Sequence, residues 1–68
     1  MKPITGKRAC ELAESKGWEW KQVTGSHYIY VKEGRRFTLS IPVHGSKDLR
    51  PGLQRKIMKI LEIEESDL

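Results

Sequence analysis

Two histidines carry most of the chemical potential of this 68-residue chain: His27, inside Gly25-Ser26-His27-Tyr28-Ile29-Tyr30, and His44, inside Pro42-Val43-His44-Gly45. Imidazole has an ordinary pKa of roughly 6.5, so it can take or give a proton near neutral pH. Two histidines could divide a base role and an acid role between them. Residue chemistry alone does not decide this. A lone histidine opening a strand is more often structural than catalytic, and a loop histidine such as His44 can serve simply by bonding to backbone or phosphate. Other chemistries find little support. Cys10 is the single cysteine, which leaves no disulfide framework and no multi-cysteine zinc site. It lies near the apolar stripe of the first helix and reads as a small hydrophobe. Cys10, His27 and His44 have no recognised ligand spacing, so no metal and no cofactor are expected. There is no Gly-rich phosphate loop and no defensible Ser-His-Asp set.

The charge layout narrows the substrate class. All 13 Lys and Arg lie within residues 1–60, where they outnumber the acids by eight, and the last eight residues carry four acids and no base, for a net +4. A basic body points to a polyanion such as nucleic acid, or simply to a well-solvated surface. Lys21, Lys32, Arg35, Arg36, Lys47, Arg50, Arg55, Lys56 and Lys59 are the available phosphate contacts. Trp20, Tyr28 and Tyr30 offer either flat faces for unpaired bases or ordinary sheet packing. RNA gives a histidine matching work. A base that removes the 2′-hydroxyl proton lets that oxygen attack the adjacent phosphate, and an acid then protonates the departing 5′ oxygen.

The elements that must position these groups read helix, strand, strand, strand, helix. Thr5 can cap a first helix from about Gly6 to Lys16, with Ala9, Leu12 and Ala13 at helical spacing and Gly17 as its stop. Trp18–Val23 alternates as a strand, Thr24-Gly25-Ser26 turns, and His27–Val31 is rich in aromatic and β-branched residues. Period two puts His27, Ile29 and Val31 on one side and Tyr28 and Tyr30 on the other. Glu33-Gly34 suits a tight hairpin turn. From Arg36 to Ile41, Phe37, Leu39 and Ile41 point one way and Arg36, Thr38 and Ser40 the other, and Pro42 ends the pairing. A loop over 43–48 leads to a second helix with Pro51 in its first turn and a stripe of Leu53, Ile57, Ile60 and Leu61. These elements predict a single α+β domain over 1–68, a three-stranded antiparallel sheet with both helices on one face, and a short acidic C-terminal tail from about residue 62. The other sheet face is left open. With no apolar run near ~18 residues, no membrane span is expected, and without a signal-like stretch the cytoplasm is the expected compartment.

Three segments together resemble one family: Gly25-Ser26-His27-Tyr28-Ile29-Tyr30, Ile41-Pro42-Val43-His44-Gly45, and Leu49-Arg50-Pro51-Gly52-Leu53 leading into an apolar helix. They are similar to the HicA (YcfA-like) mRNA interferase toxins, over about residues 4–65. The resemblance implies a double-stranded-RNA-binding-domain-like α-β-β-β-α fold and ribosome-independent cleavage of mRNA. It also implies a HicB-like antitoxin, which we expect to cover the His27 region. The family's catalytic histidine falls on His27 and its later histidine on His44. Many relatives carry a basic residue where this chain has Gln22, with Lys21 beside it. The expected RNA contacts are Lys21, Ser26, Tyr28, Lys32, Arg36, His44, Lys47, Arg50, Arg55 and Lys56. A monomer is expected for the free chain and a hetero-oligomer with the antitoxin. The competing readings are a non-catalytic double-stranded-RNA-binding module and an inactive homologue that acts as a protein-interaction partner.

Overall fold

Thr5 is extended and its hydroxyl accepts from the Arg8 N–H at 3.1 Å, which starts helix α1 at Gly6–Ser15. Gly17, at φ +90, closes the other end, since that backbone favours a residue without Cβ. The computed structural model describes residues 1–68. After α1 come β1 (Glu19–Thr24), β2 (His27–Val31), β3 (Leu39–Pro42), α2 (Pro51–Leu61) and a final 3-10 turn, Glu65–Asp67. The strands form one antiparallel sheet in the order β1-β2-β3. This is the α-β-β-β-α arrangement expected of a double-stranded-RNA-binding-like fold.

One face of the sheet carries the core. Tyr30, Leu39 and Ile41 join Ala9, Cys10, Leu12 and Ala13 of α1 and Ile57, Met58 and Leu61 of α2 in a single cluster of 14 buried residues. Tyr30 pairs with Leu39 and Tyr28 with Ile41, so these four share the helix-covered face. The opposite face presents His27 and Ile29 of β2 and Ser40 of β3, as the alternation predicts.

The strand boundaries differ from expectation for identifiable reasons. The Arg35 N–H bonds the Lys32 carbonyl at 3.0 Å, and Gly34 between them has φ +86. Positive φ at the second central residue is the type II pattern. Its twist does not suit a two-residue hairpin, so Glu33-Gly34 turns the chain without pairing the strands at once. Residues 32–38 form a longer connection, and β3 begins at Leu39 rather than Arg36. Phe37 therefore lies ahead of the strand, half-exposed, its ring 5.9 Å from that of Trp18. Pro42 belongs to β3, opposite His27, and the Val43 N–H still reaches the Ser26 carbonyl at 2.8 Å. In β1, Trp20 pairs with Tyr30 and Gln22 with Ile29, which leaves Lys21 as the extra residue of a bulge. Trp18 is buried ahead of the strand, while Trp20, paired with Tyr30, lies at the outer margin of the helix-covered face and is 55% exposed.

The second helix buries a slightly different stripe from the expected one. Gln54 and Met58 are buried with Ile57 and Leu61, while Leu53 and Ile60 are only half-buried. Gln54 is tolerated inside because its amide is satisfied. Its oxygen accepts from the Ile4 N–H at 3.1 Å and its nitrogen donates to the Lys2 carbonyl at 2.6 Å. The acidic tail is ordered: Ile63 is buried and Glu65 accepts from the Lys2 N–H at 2.7 Å. That backbone bond, with the nearby terminal amine, holds the Glu65 carboxyl below the usual carboxylate range.

Under the sheet, the Tyr30 hydroxyl donates to Glu14 at 2.7 Å, and Cys10 sits beside it. Burial and the Glu14 bond push the Tyr30 hydroxyl pKa far up, and burial pushes the Cys10 thiol up. The thiolate is the reactive form. Cys10 is therefore expected to react with iodoacetamide at pH 8 much more slowly in the native chain than in the urea-unfolded chain. Equal rates would contradict this packing.

Candidate functional site

The turn before His27 is as short as a hairpin allows. Thr24 pairs with His27, so Gly25 and Ser26 alone connect β1 to β2, with Gly25 at φ +61. Positive φ at the first of two loop residues is the II′ arrangement, which glycine adopts without Cβ strain. The turn is tied from the other side by the Val43-to-Ser26 backbone bond. His27 thus opens the central strand, flanked by Thr24 of β1 and Pro42 of β3, and its side chain is exposed.

On the uncovered face, His27 lines a shallow groove of roughly 500 Å³ with Lys21, Gln22, Thr24, Ile29, Thr38 and Ser40. The bulge matters here. It inserts Lys21 beside Gln22, bringing an ammonium group to a groove whose other lining is the His27 imidazole, three hydroxyls, an amide and Ile29. Of the expected RNA contacts, Lys21 is the one that the groove places with His27. Gln22, Thr24, Thr38 and Ser40 were not among the expected contacts. Their face was legible for Thr38 and Ser40 from the alternation of residues 36–41, but a neutral polar side chain gives no signal of binding by itself.

His44 comes to the same corner by a different route. Its Nε2 lies 3.4 Å from the hydroxyl of Ser26, the residue preceding His27. Around it, Pro42, His44, Lys47, Asp48, Arg50 and Leu53 help line a second, smaller pocket at the end of β3 and the start of α2. His44, Lys47 and Arg50 are therefore gathered, and Pro42 belongs both to their pocket and to the pair with His27.

The remaining expected contacts lie elsewhere. Tyr28 is on the helix-covered face, in a cleft with Lys7, Cys10, Glu11, Glu14, Tyr30 and Val43. Trp20 shares that face and Tyr30 is buried in it, so no aromatic ring lines the His27 groove. Lys32 follows the far end of β2 and lies beside Gly17. Arg36 is exposed in the 32–38 connection, whose Arg35 is turned toward Glu62 at 3.1 Å. Lys56 lines an apolar groove between β3 and α2 with Phe37, Leu39, Leu53, Ile57 and Ile60, and Arg55 is exposed on α2. No group of three or more His, Cys, Asp or Glu side chains comes together that could hold a metal ion. No helix is long and apolar enough to cross a membrane.

What the corner offers chemically is one solvent-accessible imidazole over a polar groove, an ammonium beside it, and a second imidazole with two cations next door. A search of the curated proteins returned no match. The family model described as the HicA toxin of bacterial toxin–antitoxin systems matches residues 6–63, which takes in both helices, all three strands and both histidines. On that match the chain belongs to the HicA toxins of bacterial toxin–antitoxin systems.

Proposed function

We propose that this toxin is an endoribonuclease that cleaves mRNA without the ribosome, using His27 for proton transfer, and that a HicB-like antitoxin neutralises it by covering the His27 region. The observation that carries the reading is the exposed His27 on the uncovered sheet face, above a polar groove with Lys21 at its edge. An imidazole there meets a ribose 2′-hydroxyl without any rearrangement of the core. Lys21 attracts the phosphate backbone, and Thr24, Thr38 and Ser40 offer hydrogen bonds to ribose or phosphate oxygens. Nothing in this route calls for a metal, so cleavage is expected to proceed with a chelator present.

The test uses the purified chain, a labelled single-stranded mRNA fragment and EDTA, with no ribosomes. Discrete fragments are expected, and they should disappear when the co-expressed antitoxin is added back. Intact RNA over a range of protein concentrations would remove the nuclease reading. It would leave the RNA-binding module, which a salt-sensitive gel shift without cleavage would identify.

A further inference from the structure

We propose that the pocket formed by His44, Lys47 and Arg50 is a phosphate subsite that holds the nucleotide flanking the one cleaved. The inference rests on the reading of His27 as the cleaving residue, and it assigns a direction to the RNA: off the sheet face, across the β3 edge at Pro42, toward the start of α2. Three observations carry it.

First, the pocket has the size and charge for a single phosphate. It encloses about 200 Å³. Lys47 and Arg50 are exposed cations with no carboxylate within ion-pair distance, as is general in this chain, where Arg8 and Arg35 are the paired side chains. An unpaired guanidinium keeps its donor fork free for phosphate oxygens. Asp48 also lines the pocket and opposes an anion. Lys47 and Arg50 outweigh it by one charge.

Second, the pocket adjoins the cleavage groove through the sheet register. Pro42 lines the pocket and is the direct partner of His27, and opposed residues in an antiparallel pair have Cα atoms about 5 Å apart. His44, two residues on, touches Ser26 next to His27. One strand of RNA can therefore touch both places over neighbouring nucleotides.

Third, the start of α2 adds backbone donors to the same side. Arg50 provides no side-chain cap, Pro51 has no N–H, and no acidic residue occupies the first turn. The first N–H donor inside α2 bonded to backbone is that of Gln54, to the Arg50 carbonyl. The Gly52 and Leu53 N–H groups have no helical partner, and Leu53 lines the pocket. Nothing lies within 4 Å of where a Gly52 Cβ would be, so that surface is open. This end of the helix supports the cationic pocket without defining it.

The experiment measures cleavage kinetics on a single-stranded RNA for Lys47→Ala, Arg50→Ala and Asp48→Asn, with Lys16→Ala as a control for loss of one charge on exposed surface. Lys47→Ala and Arg50→Ala should each raise KM about tenfold, the loss expected for one hydrogen bond to a charged group, and leave kcat nearly unchanged. Asp48→Asn should lower KM, and Lys16→Ala should move neither constant. KM changes no larger than that of Lys16→Ala would overturn the subsite while leaving the nuclease reading intact. RNA affinity is then measured in the His27→Ala background against salt. Adding Arg50→Ala should reduce the slope of log K against log salt by about 0.7, the value for one phosphate contact on a single strand. An unchanged slope overturns the subsite, and this arm still reads the pocket if the wild-type chain proves not to cleave.

Discussion

Replacing His27 with alanine is expected to lower RNA cleavage by about 10²- to 10⁴-fold, the usual contribution of a positioned acid–base group. Stability should barely move. The side chain is exposed and lies on the face that carries no core, and the ladder to Thr24 and Pro42 is a backbone arrangement that alanine keeps. RNA affinity should also be retained, because the proposed phosphate contacts are other residues. His27→Gln separates proton transfer from hydrogen bonding: glutamine keeps a polar side chain but cannot take up the proton, so it should fail as alanine does. In cells, expression of either variant should no longer arrest growth. Wild-type cleavage by the alanine variant would remove His27 from the mechanism and turn attention to His44.

Gly6→Ala should be the most damaging small substitution for folding. A Cβ at Gly6 would lie 2.0 Å from the Pro42 carbonyl oxygen and 3.0 Å from the Val43 Cα, so both obstacles are backbone. No rotamer change relieves that; α1 must back away from the end of β3. The cost is about 3 kcal/mol, at the upper end for overpacking, in a chain whose total stability at this length is about 3–10 kcal/mol. A fall in Tm of roughly 12 °C or more follows, taking about 4 °C per kcal/mol. Gly52→Ala is the matched control, since its Cβ meets nothing within 4 Å, and helix propensity favours alanine there. Equal Tm values for the two variants would show that α1 is not held against β3 as described.

The fold was legible where a local pattern and the tertiary structure agree. Thr5 and Gly17 mark the ends of α1 by their own chemistry, and the alternation through Tyr28 and Tyr30 correctly sorts β2 between its two faces. It was less legible where a contact distant in sequence decides. The Glu33-Gly34 pair reads as a hairpin turn, but its two-residue type depends on which residue takes positive φ. Gln54 is buried because the backbone of Lys2 and Ile4 arrives to bond it, and nothing near Gln54 in sequence announces that. The same holds at the site. His27 stood out through the segments around it, whereas the approach of His44 to Ser26 spans 18 residues and arises only when β3 lies beside β2. The aromatic residues sit elsewhere: Tyr28 and Tyr30 suit base stacking by type, but both lie on the helix-covered face, where Tyr30 is buried and Tyr28 partly so.

The bulge at Lys21 has a consequence for how the molecule behaves in a crowded solution. β1 is an outer strand, and an outer strand with regular geometry is a template for pairing with another copy. The extra residue between Trp20 and Gln22 breaks the regular spacing of donors and acceptors along that margin. It also fixes an ammonium group at the break. A second copy would have to match an irregular ladder and accept a buried cation, so strand-to-strand aggregation is opposed by the residue that gives the groove its charge.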